Sequence, residues 1–289
     1  MIKTVLSIAL LFASTSAWCD LAASGIAETS SITTVPVSGV PTITVPLTTV
    51  PITADSWVVA DETGRIIQEI NGDEVKSIAS ISKLITAMVI LDAHQNLKEK
   101  LHFPVRKHQM TTVLREEALQ LALVKSSNGA ADALCNSYPG GRRACIAAMN
   151  YKVAKLGLVH THFSDPTGLN PKNVSTAKEL IKIVLTAQDY PEIVQAASIS
   201  TLTVKVKYKH RRKVYVRTME FHNTNHDVGG GFFNFIISKT GFIHQAGACI
   251  VVLMETDIGK RVVVLLNSKS THTRVPEAEY IANYGGGIM

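Results

Sequence analysis

The sequence predicts an α+β fold, because strand-like patterns cluster at both ends of the chain while the middle reads as helices. The N-terminal pattern is a hairpin, with Trp57-Val58-Val59-Ala60 and Arg65-Ile66-Ile67 flanking the turn Asp61-Glu62-Thr63-Gly64. The C-terminal pattern is three apolar strands, near 232–242, 247–255 and 261–267, followed by a short helix near 276–284. Between them, helical patterns run over 80–95, about 115–135, 142–156 and 176–187. A second hairpin is expected from Thr201 to Met219, where apolar and basic residues alternate about His210-Arg211-Arg212.

Residues 1–17 read as a secretory signal. Lys3 supplies the positive end, Val5 to Phe12 a short apolar core, and Thr15-Ser16-Ala17 a small-residue cleavage site. That core is too short to span a membrane, and bulky Trp18 before Cys19 does not suit lipid attachment. Residues 18–54 are rich in Ser, Thr, Val and Pro, and the spacing of Pro36, Pro41, Pro46 and Pro51 suggests an extended tether. Residues 55–289 are then one large domain or two intimate subdomains by their length.

The composition, 46% hydrophobic and 18% charged, is that of a globular protein. A net charge of +6 suits an anionic neighbourhood but is too diffuse to indicate nucleic acid. No zinc-type cysteine pairing, P-loop or nucleotide-binding glycine pattern is present, so no cofactor is expected. His222 and His226 flank Asn223-Thr224-Asn225 without a carboxylate or cysteine at ligand spacing, and no metal is expected there. Cys135 and Cys145 bracket Tyr138-Pro139-Gly140-Gly141 and are candidates for a disulfide in an oxidising compartment.

The chemistry centres on Ser80-Ile81-Ser82-Lys83, set in an apolar run that continues to Leu91. Three residues apart on a helix, Ser80 and Lys83 share a face and can touch. Burial disfavours the ammonium form, so Lys83 is a candidate base for a Ser80 nucleophile. Ser175-Thr176-Ala177-Lys178 has the same spacing, but Thr176 stands three before Glu179 as in a capping box, which predicts a structural role.

Two further motifs follow. Ser126-Ser127-Asn128 can send both Ser126 and Asn128 to one site only if the helix ends or turns there, and Gly129 would permit the turn. Lys239-Thr240-Gly241 continues an apolar strand, where a lysine needs a partner anion and a glycine admits another backbone. Such an edge suits pairing with an extended peptide. Ser-x-x-Lys, Ser-x-Asn and Lys-Thr-Gly in this order are what the serine-lysine acyl-transferases require.

With these motifs the chain resembles the penicillin-binding serine peptidases of the D-alanyl-D-alanine carboxypeptidase and endopeptidase family, nearest the soluble periplasmic endopeptidases. The likeness runs from about Ser56 to Arg274. It includes Ile78 to Leu84, Tyr138 to Gly141, Phe163-Ser164-Asp165-Pro166-Thr167-Gly168-Leu169, Asn173 to Ala177, Asn223-Thr224-Asn225 and Ser238 to Phe242.

The resemblance implies a fold like that of β-lactamases and DD-peptidases, an antiparallel sheet flanked by helices with a helical subdomain. It implies Ser80 as nucleophile, Lys83 as proton acceptor, Ser126 as proton carrier, Asn128 as holder of Lys83 and substrate, and Lys239 with Thr240 as substrate-binding. The oxyanion would lie between the backbone N–H groups of Ser80 and Phe242. Peptidoglycan stem peptides and cross-links would be substrates, β-lactam antibiotics covalent inhibitors, and the periplasm the location, without a transmembrane anchor.

Ile243 stands where the family usually has a threonine, which weakens binding of a terminal carboxylate and favours an endopeptidase over a strict carboxypeptidase. The connection from His94 to Leu119 looks shorter than in the endopeptidases. A β-lactamase is disfavoured because Ser164 to Asn170 lacks a glutamate to activate water. A non-catalytic wall-binding protein is disfavoured by the intact motifs. The basic residues Lys205, Lys207, Lys209, Arg211, Arg212 and Lys213 are expected as a solvated hairpin face.

Overall fold

A computed structural model describes residues 50–106, 109–210, 213–231 and 233–284. The segment read as a secretory signal, most of the segment read as a tether, and Arg211-Arg212 of the expected second hairpin lie outside the described residues.

The main sheet is antiparallel, built from β1 (Ser56–Asp61), β2 (Ile66–Ile70), β9 (Asn234–Ile243), β10 (Gly247–Thr256) and β11 (Gly259–Ser268) in the order β2-β1-β11-β10-β9. Both terminal strand groups therefore meet, with Val58 opposite Val264. Alternation places Trp57, Val59, Val252 and Leu265 on one face, against the C-terminal helix α7 (Arg274–Tyr284). Val58, Ala60, Val251 and Val264 point the other way, into the main helical core. Strand β9 closes one side of the sheet with a free edge.

That core surrounds α1 (Lys83–Asp92), in which Lys83 to Ile90 are all buried. Fully burying each of Leu84, Ile85, Met88 and Ile90 contributes about 1.5–3 kcal/mol relative to exposure. The helix begins at Lys83 rather than at residue 80, because Ala79–Ser82 form a separate 3-10 turn. Around α1 lie α4 (Gly141–Lys155), α5 (Ala177–Ala187) and the short α6 (Pro191–Ala197).

Three features depart from the expectations. The segment read as one helix over 115–135 is two, α2 (Arg115–Leu123) and α3 (Asn128–Asn136). The break falls at Ser126, which takes a left-handed φ of 59°, and not at Gly129, which is helical. A Cβ on Gly129 would lie 2.3 Å from the Pro104 carbonyl, so this glycine serves close packing. The stretch from His94 to Leu119 contains a hairpin, β4 (Lys100–Arg106) and β5 (Gln109–Leu114). It joins β7 (Thr201–His210) and β8 (Lys213–His222) in a second antiparallel sheet, β4-β5-β7-β8, while β3 (Lys76–Ser77) and β6 (Val174–Ser175) pair as a short ladder.

Ile52 and Ala54, assigned to the tether from composition, pack against the α7 side of the sheet, and Thr53 donates to Glu277. Cys135 and Cys145 are bonded, with Cα atoms 5.3 Å apart. Among the described residues no helix is long and apolar enough to cross a membrane.

Candidate active site

The 3-10 turn presents Ser80 under backbone strain. Ala79 has φ 47°, a left-handed conformation costing an alanine about 1–2 kcal/mol. Two glycines press against it from opposite elements. A Cβ on Gly168 would come within 1.9 Å of Ala79 O, and one on Gly241 within 2.9 Å of Ile78 O and 3.0 Å of Ser80 N. Gly241 thus lets the β9 edge close on the backbone of Ser80. Phe242, half exposed, follows Gly241 on β9.

Lys83 occupies the first position of α1 and is fully buried. Its Nζ lies 2.7 Å from Ser80 Oγ, 2.8 Å from Asn128 Oδ1 and 2.5 Å from Thr167 O. Burial pushes its pKa down to about 7, partly opposed by the carboxylates of Asp165 and Asp132. The three contacts discriminate between protonation states. An ammonium donates to all three oxygens. A neutral amine has two N–H groups and one lone pair, and two of its neighbours, a carbonyl and a carboxamide oxygen, only accept. The lone pair must then face the Ser80 hydroxyl, which is the arrangement that withdraws the serine proton.

Asn128 reaches Lys83 from the start of α3, and Ser126 lies in the break just before it. Ser126 Oγ accepts from Lys239 Nζ at 2.9 Å, and Lys239 also donates to Thr240 O at 2.8 Å. Lys239 is buried, and desolvation together with the positive charges of Lys83 and Arg274 holds its pKa well below the usual lysine value. The anion expected beside this strand lysine is absent among the described residues; a serine and a carbonyl take that place. Thr240 Oγ1 donates to Thr224 Oγ1 at 2.6 Å. Hydrogen bonds therefore tie Ser80, Lys83 and Asn128 together and, separately, Ser126, Lys239 and Thr240, and the two groups meet at the α2–α3 break, which carries Ser126 and leads into Asn128.

The sequence reading gave no role to several residues that hold this set. Asp165 Oδ1 accepts from the N–H groups of Thr167 and Gly168, and Asp165 Oδ2 from that of Asn170, which fixes the loop whose carbonyl receives Lys83. Asn173 accepts from the N–H groups of Ser164 and Asp165 and donates to Ser82 Oγ, tying the loop to the Ser80 turn. Arg274, from α7, donates to Gly241 O at 2.8 Å beneath β9. An Asp with glycine three residues on was the visible cue for the loop; nothing local marks Arg274.

Ser175-Thr176-Ala177-Lys178 is structural, though not by a full capping box. Thr176 accepts from Glu179 N–H at 3.1 Å, but the Glu179 side chain accepts from His160 N–H and Thr161 Oγ1.

A model of the family described as D-alanyl-D-alanine carboxypeptidase matches residues 44–270. The chain is 35% identical to the D-alanyl-D-alanine endopeptidase of Pseudomonas aeruginosa, over 77% of this chain and 74% of that one. It is 38% identical to the Escherichia coli D-alanyl-D-alanine endopeptidase, over 74% of this chain and 70% of the other. The crystal structure of a Streptomyces DD-transpeptidase superposes with a TM-score of 0.71 at 26% identity, covering 83% of this chain and 99% of that one.

Proposed function

The chain belongs to the D-alanyl-D-alanine carboxypeptidase family of serine peptidases, and from that premise we propose that it hydrolyses D-alanyl bonds in peptidoglycan, cutting cross-links. Ser80 Oγ attacks the carbonyl carbon of a D-alanyl residue while its proton passes to Lys83 Nζ. The carbonyl oxygen gathers negative charge between the N–H groups of Ser80 and Phe242. Ser126 passes the proton held on Lys83 to the departing amine, the C–N bond breaks, and an acyl ester remains on Ser80. Water then hydrolyses the ester and restores the serine. Asn128 keeps Lys83 aimed and holds the substrate amide, and Lys239 with Thr240 binds the peptide along the β9 edge.

The observation that carries this reading is the three-oxygen environment of Lys83, in which a neutral amine must turn its lone pair to Ser80. Ile243, at the end of β9, supports the endopeptidase form because it offers no hydroxyl to a terminal carboxylate. The names of the relatives from Pseudomonas aeruginosa and Escherichia coli point the same way. By the same chemistry a penicillin acylates Ser80, and the loop Ser164–Asn170, lacking a glutamate, leaves the ester slow to hydrolyse.

A periplasmic location is supported by the signal-like residues 1–17 and by the Cys135–Cys145 bond, which needs an oxidising compartment. The tether would precede the catalytic domain, to which Ile52, Thr53 and Ala54 already belong by their packing.

Fluorescent penicillin tests the chemistry: wild type is labelled covalently and Ser80→Ala is not. Purified cross-linked and uncross-linked muropeptides test the substrate. Dimers are expected to fall to monomers, whereas persisting dimers beside shortening pentapeptides would mean a carboxypeptidase. Cell fractionation with an antibody to the catalytic domain checks the location.

A further inference from the structure

The segment from Thr201 to His222 holds seven Lys and Arg residues against one acid, Glu220. Its two strands, β7 and β8, pair from Thr201–His222 to His210–Lys213, whereas the pairing of β5 with β7 covers only Thr111–Val206 to Gln109–Tyr208. Strand β8 forms the edge of its sheet.

Register divides the hairpin into two faces. Val204, Val206 and Met219 turn inward and are buried. Lys207 stands opposite Val216 and Lys205 opposite Thr218 on the outward face, and Val214, two residues before Val216, shares it. Val214 and Val216 are 66% and 59% exposed, although a β-branched side chain in a strand ordinarily packs against a neighbouring layer. Lys213, next to Val214, is exposed as well. No ion pair engages Lys205, Lys207 or Lys213 among the described residues. The acids lie toward the other end: Glu220 follows Thr218 on the outward face, and Glu117 lines a cavity with Lys205 and Thr218.

We propose that the outward face of the β7–β8 hairpin docks on an anionic lipid bilayer, its lysines meeting headgroup phosphates while Val214 and Val216 enter the interface. Two features together select this partner. The surplus of positive charge calls for a polyanionic surface. A polar polyanion such as a wall polysaccharide would satisfy the lysines and leave the valines in water, whereas a bilayer interface takes up both. With the acids at the far end, the hairpin approaches by its Lys213 end. None of these residues belongs to the reaction centre, so the inference stands apart from the peptidase reading.

Vesicle flotation tests it, with the purified full chain and vesicles of phosphatidylcholine alone or mixed with phosphatidylglycerol. The apolar residues Val5 to Phe12 are common to every variant, so differences between variants report the hairpin. The chain is expected to partition at least about tenfold more strongly to the anionic vesicles, and less so as salt is raised. A lysine near an anionic surface contributes about a fivefold factor, so Lys205→Gln, Lys207→Gln and Lys213→Gln combined should weaken partitioning by roughly 10²-fold. Val214→Ser with Val216→Ser leaves every charge in place and should weaken it about three- to tenfold. Urea midpoints check that each variant is folded, and the single lysine variants, each down about fivefold, replace the triple one if it is not.

Equal partitioning to neutral and anionic vesicles, or wild-type partitioning by the lysine or the valine variant, would overturn the proposal. Soluble polygalacturonate supplies anionic sugar without lipid. Binding to it that matches the vesicles, depends on the lysines and ignores the valines would also overturn the proposal, and would assign the face to an anionic polymer.

Discussion

Two segments of this chain carry the same Ser-x-x-Lys spacing and make opposite use of it. At Ser80–Lys83 the lysine opens an apolar helix, is fully buried, and points at three oxygens, none of them a carboxylate. At Ser175–Lys178 the lysine faces solvent and pairs with Asp73 and Glu69, which raise its pKa. There the serine is the buried partner, bonded to Thr161 Oγ1 at 2.7 Å. Spacing brings the two side chains to one face. Desolvation and the choice of neighbours decide whether the lysine becomes a base.

The largest effects expected from breaking this contrast are at the first segment. Ser80→Ala and Lys83→Met should each lower the rate of penicillin acylation by at least about 10³-fold, since one removes the nucleophile and the other its base. Stopped-flow labelling measures the rates. Ser175→Ala should leave acylation unchanged while costing about 1–2 kcal/mol of stability, because it strips a buried hydrogen bond. An acylation defect in that variant would break the comparison.

Ser126 separates chemistry from backbone strain. Ser126→Gly keeps the left-handed turn and removes the hydroxyl that accepts from Lys239, whereas Ser126→Ala removes the hydroxyl and retains the strain. Both should lose roughly 10²-fold in acylation rate. Ser126→Gly should be the more stable by about 1 kcal/mol, read as a higher midpoint in urea. Equal stability of the two would mean that the turn at Ser126 is not maintained in solution.

The lysines also differ in the sign of their pH dependence. Lys83 has a folded pKa lowered to about 7, so acylation should rise with pH through about 7 as the free base forms. Between that value and its unfolded pKa the unfolded chain holds more protons, and stability from this group rises with pH. Lys239 is shifted in the same direction by burial and works in the same sense. Lys178, raised, contributes below its unfolded pKa and loses that contribution as pH climbs past it. In Lys83→Met the rise in stability above pH 7 should be smaller than in wild type, as urea unfolding at several pH values would record.

Much of this was legible in residues because the signals were dense. The apolar runs of β10 and β11 and the alternation of β7 read correctly from their patterns, and three short motifs named side chains that hydrogen-bond one another in the structure. The missed pieces have physical reasons. Strand β4 carries Pro104 and three charged or titratable residues in seven, and its pairing slips between Pro104 and Arg106, so neither composition nor period two showed it. The α2–α3 break falls at a serine in a conformation usually left to glycine or asparagine, while the nearby glycine serves packing. Arg274 acts across the sheet from a helix thirty-three residues beyond its acceptor, Gly241, and no local pattern encodes such a reach.

The smallest expected effect is at Lys178. Its two carboxylate partners are 2.9 and 2.6 Å away, yet the pairs lie on the surface, where water and salt screen them and the side chains give up freedom to stay together. Lys178→Ala should leave acylation at the wild-type rate and move Tm by less than about 2 °C. Lys178→Met tests the contrast from the other side, since it is the substitution expected to abolish function at Lys83. With the same residue change, the same spacing from a serine and a similar starting position in a helix, only burial and the neighbouring oxygens differ. If Lys178→Met slowed acylation as Lys83→Met does, proximity to a serine would be the operative feature and the desolvated environment of Lys83 would have no special part in the chemistry.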